Sequence, residues 1–424
     1  MQYLIAVVFF MLLCYDYKRT VFLLALLHLI LLMLVFPGVP FSMYEVVAAM
    51  VTALAPFKLR RKERDMMRTY PFWIGSVAMF LSIAGTSYFI APHWPTAMMT
   101  FNAYYIYPLI LWACIETKED LQSLLKAIMI FAVAMGLYSL FEMVSGSNPV
   151  IRYIISSGMG NDSVLDYDKM RFGVKRCQGF LSTPAPTGLI YGLTLATIYW
   201  VTDKFSIDMK KFLLLLYPLC AIGMFITGTR SVIAASCVAL LGVAGHEMLK
   251  ARFMFVKIVL LLIVLGFCAP FLIEVINAFV NTDQTSVGGS NTDMRLEQLL
   301  ISLYYWANSP IWGNGSGFIW SYVQDVDKDI YGAESIWFQL LVDYGAVGAI
   351  AYLICIVNAI VSLCKKHFIW IFLPLGFLVA KTMSTVIGVE MSVLFIFSVI
   401  LLKYELLFNT KENETEKKRL EETP

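Results

Sequence analysis

The sequence predicts an all-α, polytopic integral membrane protein of about 12–14 transmembrane helices. Three observations predict it. Of 424 residues, 59% are apolar and only 15% charged, whereas roughly a quarter of the residues of a soluble domain are charged. The apolar residues fall in runs of nearly twenty, the length a helix needs to cross a hydrocarbon core. Lys and Arg gather in alternate connections, as they do when helices thread back and forth. A net charge of +2 offers no global field for nucleic acid, so no nucleic-acid partner is expected.

The runs centre near Val8, Leu27, Val47, Met79, Tyr107, Ala134, Leu195, Tyr217, Ala239, Leu265, Ala351, Leu375 and Phe395. The first has neither a basic leader region nor a small-residue cleavage site, which predicts a retained span. The third, between Pro40 and Pro56, is the shortest. Residues 1–424 read as one membrane domain, because no soluble block, repeat or low-complexity stretch interrupts the runs. Most cysteines (Cys14, Cys114, Cys220, Cys237, Cys268 and Cys355) lie inside apolar runs and read as small hydrophobes. His28, His93, His246 and His367 are dispersed. No Cys or His spacing suits a metal, so no metal and no cofactor are expected.

With the basic 58–68 loop placed inside, alternation puts 23 of the 32 Lys and Arg residues inside, together with the charged tail at 403–424. Two long segments then face out, 145–187 and 281–335. They carry seven of the nine outer cations, and long connections in a compact protein are functional or disordered.

The first long segment contains RFGVKRCQGF, with Arg171, Lys175 and Arg176, then the turn STPAPTG. ITGTRSV places Arg230 at an outer boundary without a charged sequence neighbour. A guanidinium there requires a partner, and its planar fork suits phosphate. Lys175 reads equally well as a contact for lipid headgroups. The second segment offers Arg295, then SPIWGNGSGF with Asn314, then DVDKDIYGAES with Tyr331, Glu334 and Ser335. Its glycines lack the strand and helix of a dinucleotide site and read as a turn where backbones approach closely. The acidic stretch departs from a calcium loop, with Ile330 at the sixth position and Ile336 at the twelfth. After Glu334, Trp337, Leu340, Leu341 and Tyr344 recur at helical spacing, and Gly345, Gly348 and Ala349 permit close packing. Glu334 is then either a cap on that helix or a base held against a substrate.

Taken together, the outer basic motif, GTRS, SPIWGNGSG and ES…L…YG resemble the O-antigen ligase / O-antigen polymerase superfamily over Arg171 to Gly348. Glu334-Ser335 stand where the ligases of that family carry a histidine, and no histidine occurs in 281–335, which favours the polymerase branch. The resemblance implies a GT-C-like helical fold in the bacterial inner membrane, with its site facing the periplasm. It implies a metal-independent glycosyltransferase that moves a growing glycan from polyprenyl (undecaprenyl) diphosphate to a terminal sugar hydroxyl of a lipid-linked repeat unit. A ligase acting on lipid A core and a lipid-linked oligosaccharide transporter are the competing readings. Membrane lipids and a polysaccharide chain-length regulator are the other implied partners. On that reading Glu334 is the base, with Arg176 and Arg295 completing the catalytic set. Arg171, Lys175, Arg176, Arg230 and Arg295 hold the diphosphate, and Asn314, Tyr331 and Ser335 are acceptor or loop candidates.

Overall fold

The computed structural model describes residues 2–35, 41–90, 94–160, 170–171, 174–202, 207–249, 292–327, 330, 333–382 and 389–408. Twelve of the thirteen apolar run centres fall in helix, and the run near Leu265 lies outside the described residues. Three described helices are long and apolar enough to cross a membrane singly: Lys118–Ser145, Ile336–Cys364 and Met391–Phe408. The protein is an all-α polytopic membrane protein whose only described sheet is a two-residue antiparallel pair, Met170–Arg171 with Val174–Lys175.

Three expectations change. The third span starts at a capping box, in which Ser42 and Glu45 satisfy each other's backbone amides, and runs past Pro56 to Lys58. Pro56 has no amide to donate to the preceding turn, so the helix runs past it with one backbone hydrogen bond fewer and ends two residues later. Lys403, counted with the tail, is instead buried in helix Val389–Phe408. Its ammonium donates to the Ile115 carbonyl at 2.7 Å and lies 4.2 Å from the centre of the Trp112 ring, contacts that replace water. The tail from 409 lies outside the described residues.

The two long segments are also partly folded. The first holds helix Pro149–Ser156, begun by Pro149 and capped by Asn148. The second holds helix Thr292–Asn308, which buries Gln298 and Ser302 and exposes Leu296, Leu300 and Tyr304.

Helices Arg230–Leu249 and Phe372–Thr382 fix the level of the site. A Cβ on Gly376 would meet the Ala235 carbonyl oxygen at 2.6 Å, and one on Gly242 would meet the Phe372 Cβ at 2.9 Å. The helices are therefore antiparallel and in close contact. From the Gly376–Ala235 contact, Thr382 lies about 9 Å along one helix and Arg230 about 7.5 Å along the other. Thr382 and the start of the Arg230 helix thus share one end of the bundle. Lys403 and the Lys18–Asp120 ion pair, at 2.6 Å, lie at the end from which Lys118–Ser145 departs.

Candidate functional site

The basic motif of the first segment docks on the turn that precedes Arg230. Arg176 donates from Nε to the Thr227 carbonyl at 3.2 Å and from Nη2 to the Thr229 hydroxyl at 3.1 Å. The Cys177 amide donates to the Ile226 carbonyl at 3.0 Å. Thr227–Thr229 is the tight connection between helices Ile207–Ile226 and Arg230–Leu249, turned by Gly228 at φ 58°. Two motifs separated by fifty residues of sequence are therefore one structure. Arg230 is the first residue of its helix, so its backbone follows directly on the threonine that Arg176 grips. The side chains of Arg230 and Arg171 lie outside what the structure describes. Burial pushes the Cys177 thiol up to about 12, which keeps it protonated and unreactive.

Lys175 and Arg176 are neighbours with different surroundings. Lys175 is 5% exposed and its Nζ lies 3.9 Å from Oε1 of Glu142, which is 0% exposed. Oε2 of the same carboxylate accepts the backbone amides of Gln178 at 3.0 Å and Gly179 at 2.9 Å. Glu142 escaped the sequence reading because it sits in the last turn of an apolar span, where a carboxylate reads as headgroup decoration. The available signal was its isolation: an ionisable group within a span has a partner as a rule.

Glu334 lies at the end of the second segment. Its Oε2 accepts from Nη2 of Arg295 at 2.9 Å, with 32% and 29% of the two side chains exposed. Its backbone amide donates to Oε1 of the buried Gln298 at 3.0 Å, which seats it against helix Thr292–Asn308. The helix that follows begins at Ile336, and its cap is Ser335, whose hydroxyl accepts the Trp337 amide at 3.3 Å. Capping thus falls to the serine, and the carboxylate is left for the arginine. One turn on, the Trp337 indole donates to the Thr382 hydroxyl at 3.1 Å.

The glycine-rich stretch is a backbone-to-backbone contact. Gly313, Gly315 and Gly317 have φ of 74°, 118° and 78°. A Cβ on Gly313 would lie 2.4 Å from the Asp343 carbonyl, and one on Gly345 would lie 2.4 Å from the Ile311 oxygen. Asn314 directs its amide at the Tyr305 and Val342 carbonyls, at 2.9 and 3.0 Å, so those hydrogens serve the loop's own architecture. Asp343, absent from the sequence reading, is fully buried and accepts from the Gly317 and Ile319 amides and from Gln339, at 3.0, 2.9 and 2.9 Å. It ties the glycine loop to the π-turn Leu340–Tyr344. Tyr331 lies outside the described residues.

The two clusters stand at one level, by the helix contacts established above. Glu334 precedes Trp337, Trp337 reaches Thr382, and Thr382 stands level with the start of the Arg230 helix, where Arg176 is bound. Arg176, the Arg230 backbone, Arg295 and Glu334 therefore lie at one end of the bundle. Among the described residues, no group of three or more His, Cys, Asp or Glu side chains is placed to hold a metal ion. The arrangement can bind an anion through guanidinium groups and can accept a proton at an accessible carboxylate.

No curated protein matches the chain. The family model described as O-antigen ligase matches residues 215–353, a window that runs from the helix before the Thr227–Thr229 turn to the helix beyond Glu334. That window, which contains Arg230, Arg295 and Glu334, is where the chain is similar to the O-antigen ligase family.

Proposed function

We propose that this protein is a surface-polysaccharide polymerase. In this reading a growing glycan passes from a polyprenyl diphosphate carrier to the terminal sugar hydroxyl of a second, lipid-linked repeat unit. The observation that carries it is the accessible Arg295–Glu334 contact, at 2.9 Å, at the same end of the bundle as the turn held by Arg176. The acceptor oxygen forms a bond to the anomeric carbon of the donor sugar as the bond from that carbon to the diphosphate oxygen breaks. The acceptor proton goes to the Glu334 carboxylate, and the electron pair leaves with the diphosphate. The scheme assigns Arg176, Arg230 and Arg295 to the charge that develops on the leaving group, where preorganised cations lower the barrier most. The incoming diphosphate competes with Glu334 for Arg295, so binding the donor frees the base.

The arginines supply the electrostatics in this scheme, with no metal invoked. Lys175, satisfied by Glu142, supports the loop rather than the ligand. Glu334-Ser335, in place of a histidine, support the polymerase branch over the ligase branch. The segregation of Lys and Arg supports a site on the outer face of the inner membrane. A single cysteine at the exposed Asp325 should then react with an impermeant thiol reagent in intact cells, and one at the exposed Lys62 should not.

The decisive experiment supplies purified, reconstituted protein with lipid-linked single repeat units. A ladder of longer glycans with release of polyprenyl diphosphate supports polymerisation. Transfer that occurs only when lipid A core is added identifies a ligase, and translocation without a new glycosidic bond identifies a transporter.

A further inference from the structure

Glu142 holds both sides of the segment that carries Arg176. Its Oε1 faces the Lys175 ammonium at 3.9 Å on one side of Arg176, and its Oε2 takes the Gln178 and Gly179 amides on the other. The opposite faces of those two peptides are held as well. Asn148 donates to the Gly179 carbonyl at 2.9 Å, and the Thr187 hydroxyl donates to the Gln178 carbonyl. Asn148 is in turn fixed by the Tyr138 hydroxyl at 2.8 Å. Gly179 makes the bend at φ 61°, with Ser139 and Met135 of the Glu142 helix directly beneath. The amides and carbonyls of Gln178 and Gly179 are thus held by helix Lys118–Ser145 and by the chain flanking the bend, and the carboxylate takes both amides. The Arg176 side chain reaches away from the bend, to Thr227 and Thr229.

We infer that Glu142 is a positioning residue: it fixes the direction of the Arg176 guanidinium, and through Arg176 the turn that starts the Arg230 helix. A buried carboxylate is costly unless paired and hydrogen-bonded, and this one takes two amides of the segment on Oε2 and has the segment's lysine 3.9 Å from Oε1. The same segment could be held by apolar packing alone, so the charge is explained by the rigidity it gives to one cation. The inference rests on the reading of Arg176 as a ligand for the donor diphosphate.

The test is a double-mutant cycle read as affinity for polyprenyl diphosphate in detergent micelles, using the full chain. Glu142→Gln and Arg176→Ala should each weaken binding by roughly ten- to a hundredfold, the scale of a hydrogen bond to a charged group. In the Arg176→Ala background, Glu142→Gln should add nothing, because the group it positions is already gone. A support that merely stabilised the fold would add its own loss in both backgrounds, and that result overturns the inference, as does unchanged affinity in Glu142→Gln. Unchanged affinity in Arg176→Ala instead overturns the diphosphate reading and takes this inference with it. Should Glu142→Gln fail to accumulate as folded protein, the neutral pair Glu142→Gln with Lys175→Met carries the same cycle, since removing both charges avoids a stranded ammonium.

Discussion

Arg295 and Glu334 meet at 2.9 Å with about a third of each side chain in contact with solvent, while Lys175 and Glu142 meet at 3.9 Å with 5% and 0% exposed. Both are cation–carboxylate pairs, both join the chain across more than thirty residues, and each takes its cation from one of the two long segments. Their environments separate them. An ion pair in contact with water is worth about 0–1 kcal/mol, so a competing anion can replace the carboxylate at little cost. A buried pair cannot be opened so easily, since the charge left behind has lost both its partner and its water. The accessible pair therefore suits a step that exchanges partners, and the buried pair suits a permanent anchor. The difference lies in solvent and not in residue type, which is why composition alone does not reveal it.

The largest effect should come from removing the proton acceptor of the accessible pair. Glu334→Gln keeps the size and a hydrogen-bonding oxygen but is a far poorer base, and it should lower the polymerisation rate about 10²–10⁴-fold. Folding and donor-lipid binding should be retained, and Glu334→Asp should keep more activity than Gln because it keeps the charge. The measurement is the glycan ladder formed by reconstituted protein. Near-normal ladders from Glu334→Gln would remove the base from this site and make the pair a mere surface contact.

The buried pair should break in a different observable. Lys175→Met strands the Glu142 carboxylate and should cost about 3–5 kcal/mol of stability, seen as a lowered unfolding midpoint in detergent. Arg295→Met should shift the same midpoint by about 1 kcal/mol or less, the range of an exposed pair. Equal shifts for the two variants would erase the contrast between the pairs.

Rate should then reverse that order. Arg176→Ala, Arg230→Ala and Arg295→Ala should each lower the rate by about 10²–10³-fold, as loss of a charged transition-state donor does. Lysine at these positions should restore part of the rate, since an ammonium brings charge without the bidentate fork. If all three alanine variants polymerise normally at native protein level, the guanidinium groups bind headgroups and not the substrate.

The membrane helices were legible because a span needs nearly twenty apolar residues and little else, so twelve run centres fall in helix. The folded parts of the long segments were not. Helix Thr292–Asn308 turns Gln298 and Ser302 inward beside Tyr305 and leaves Leu296 and Leu300 outward, so no clean apolar stripe marks its buried face. Arg295 and Glu334 could be named as candidates from their motifs, but their contact spans 39 residues and no periodicity predicts it. Glu142 and Asp343 were invisible for a related reason. Each looks like an isolated polar residue in an apolar run, and each receives backbone amides brought from elsewhere in the chain.

The smallest effect tests how the work is divided between Glu334 and its neighbour. Ser335 has extended backbone at φ −160° and ψ 136°, and its hydroxyl accepts the Trp337 amide at 3.3 Å, the arrangement of a helix cap. Glu334, one residue earlier, faces Arg295 instead. Ser335→Ala should therefore cost about 1 kcal/mol of stability, the usual value of a cap, while the rate stays within about twofold. The reason for the small change in rate is that the helix is held further along by Trp337 on Thr382 and by Gln339 on Asp343, so losing one amide contact does not move its start. Ser335→Gly should cost less than Ser335→Ala, because glycine at a cap leaves the amides open to water. A large loss of rate in Ser335→Ala with unchanged stability would mean that the hydroxyl touches the acceptor sugar. The two neighbours would then share the chemistry that the accessible carboxylate is here assigned alone.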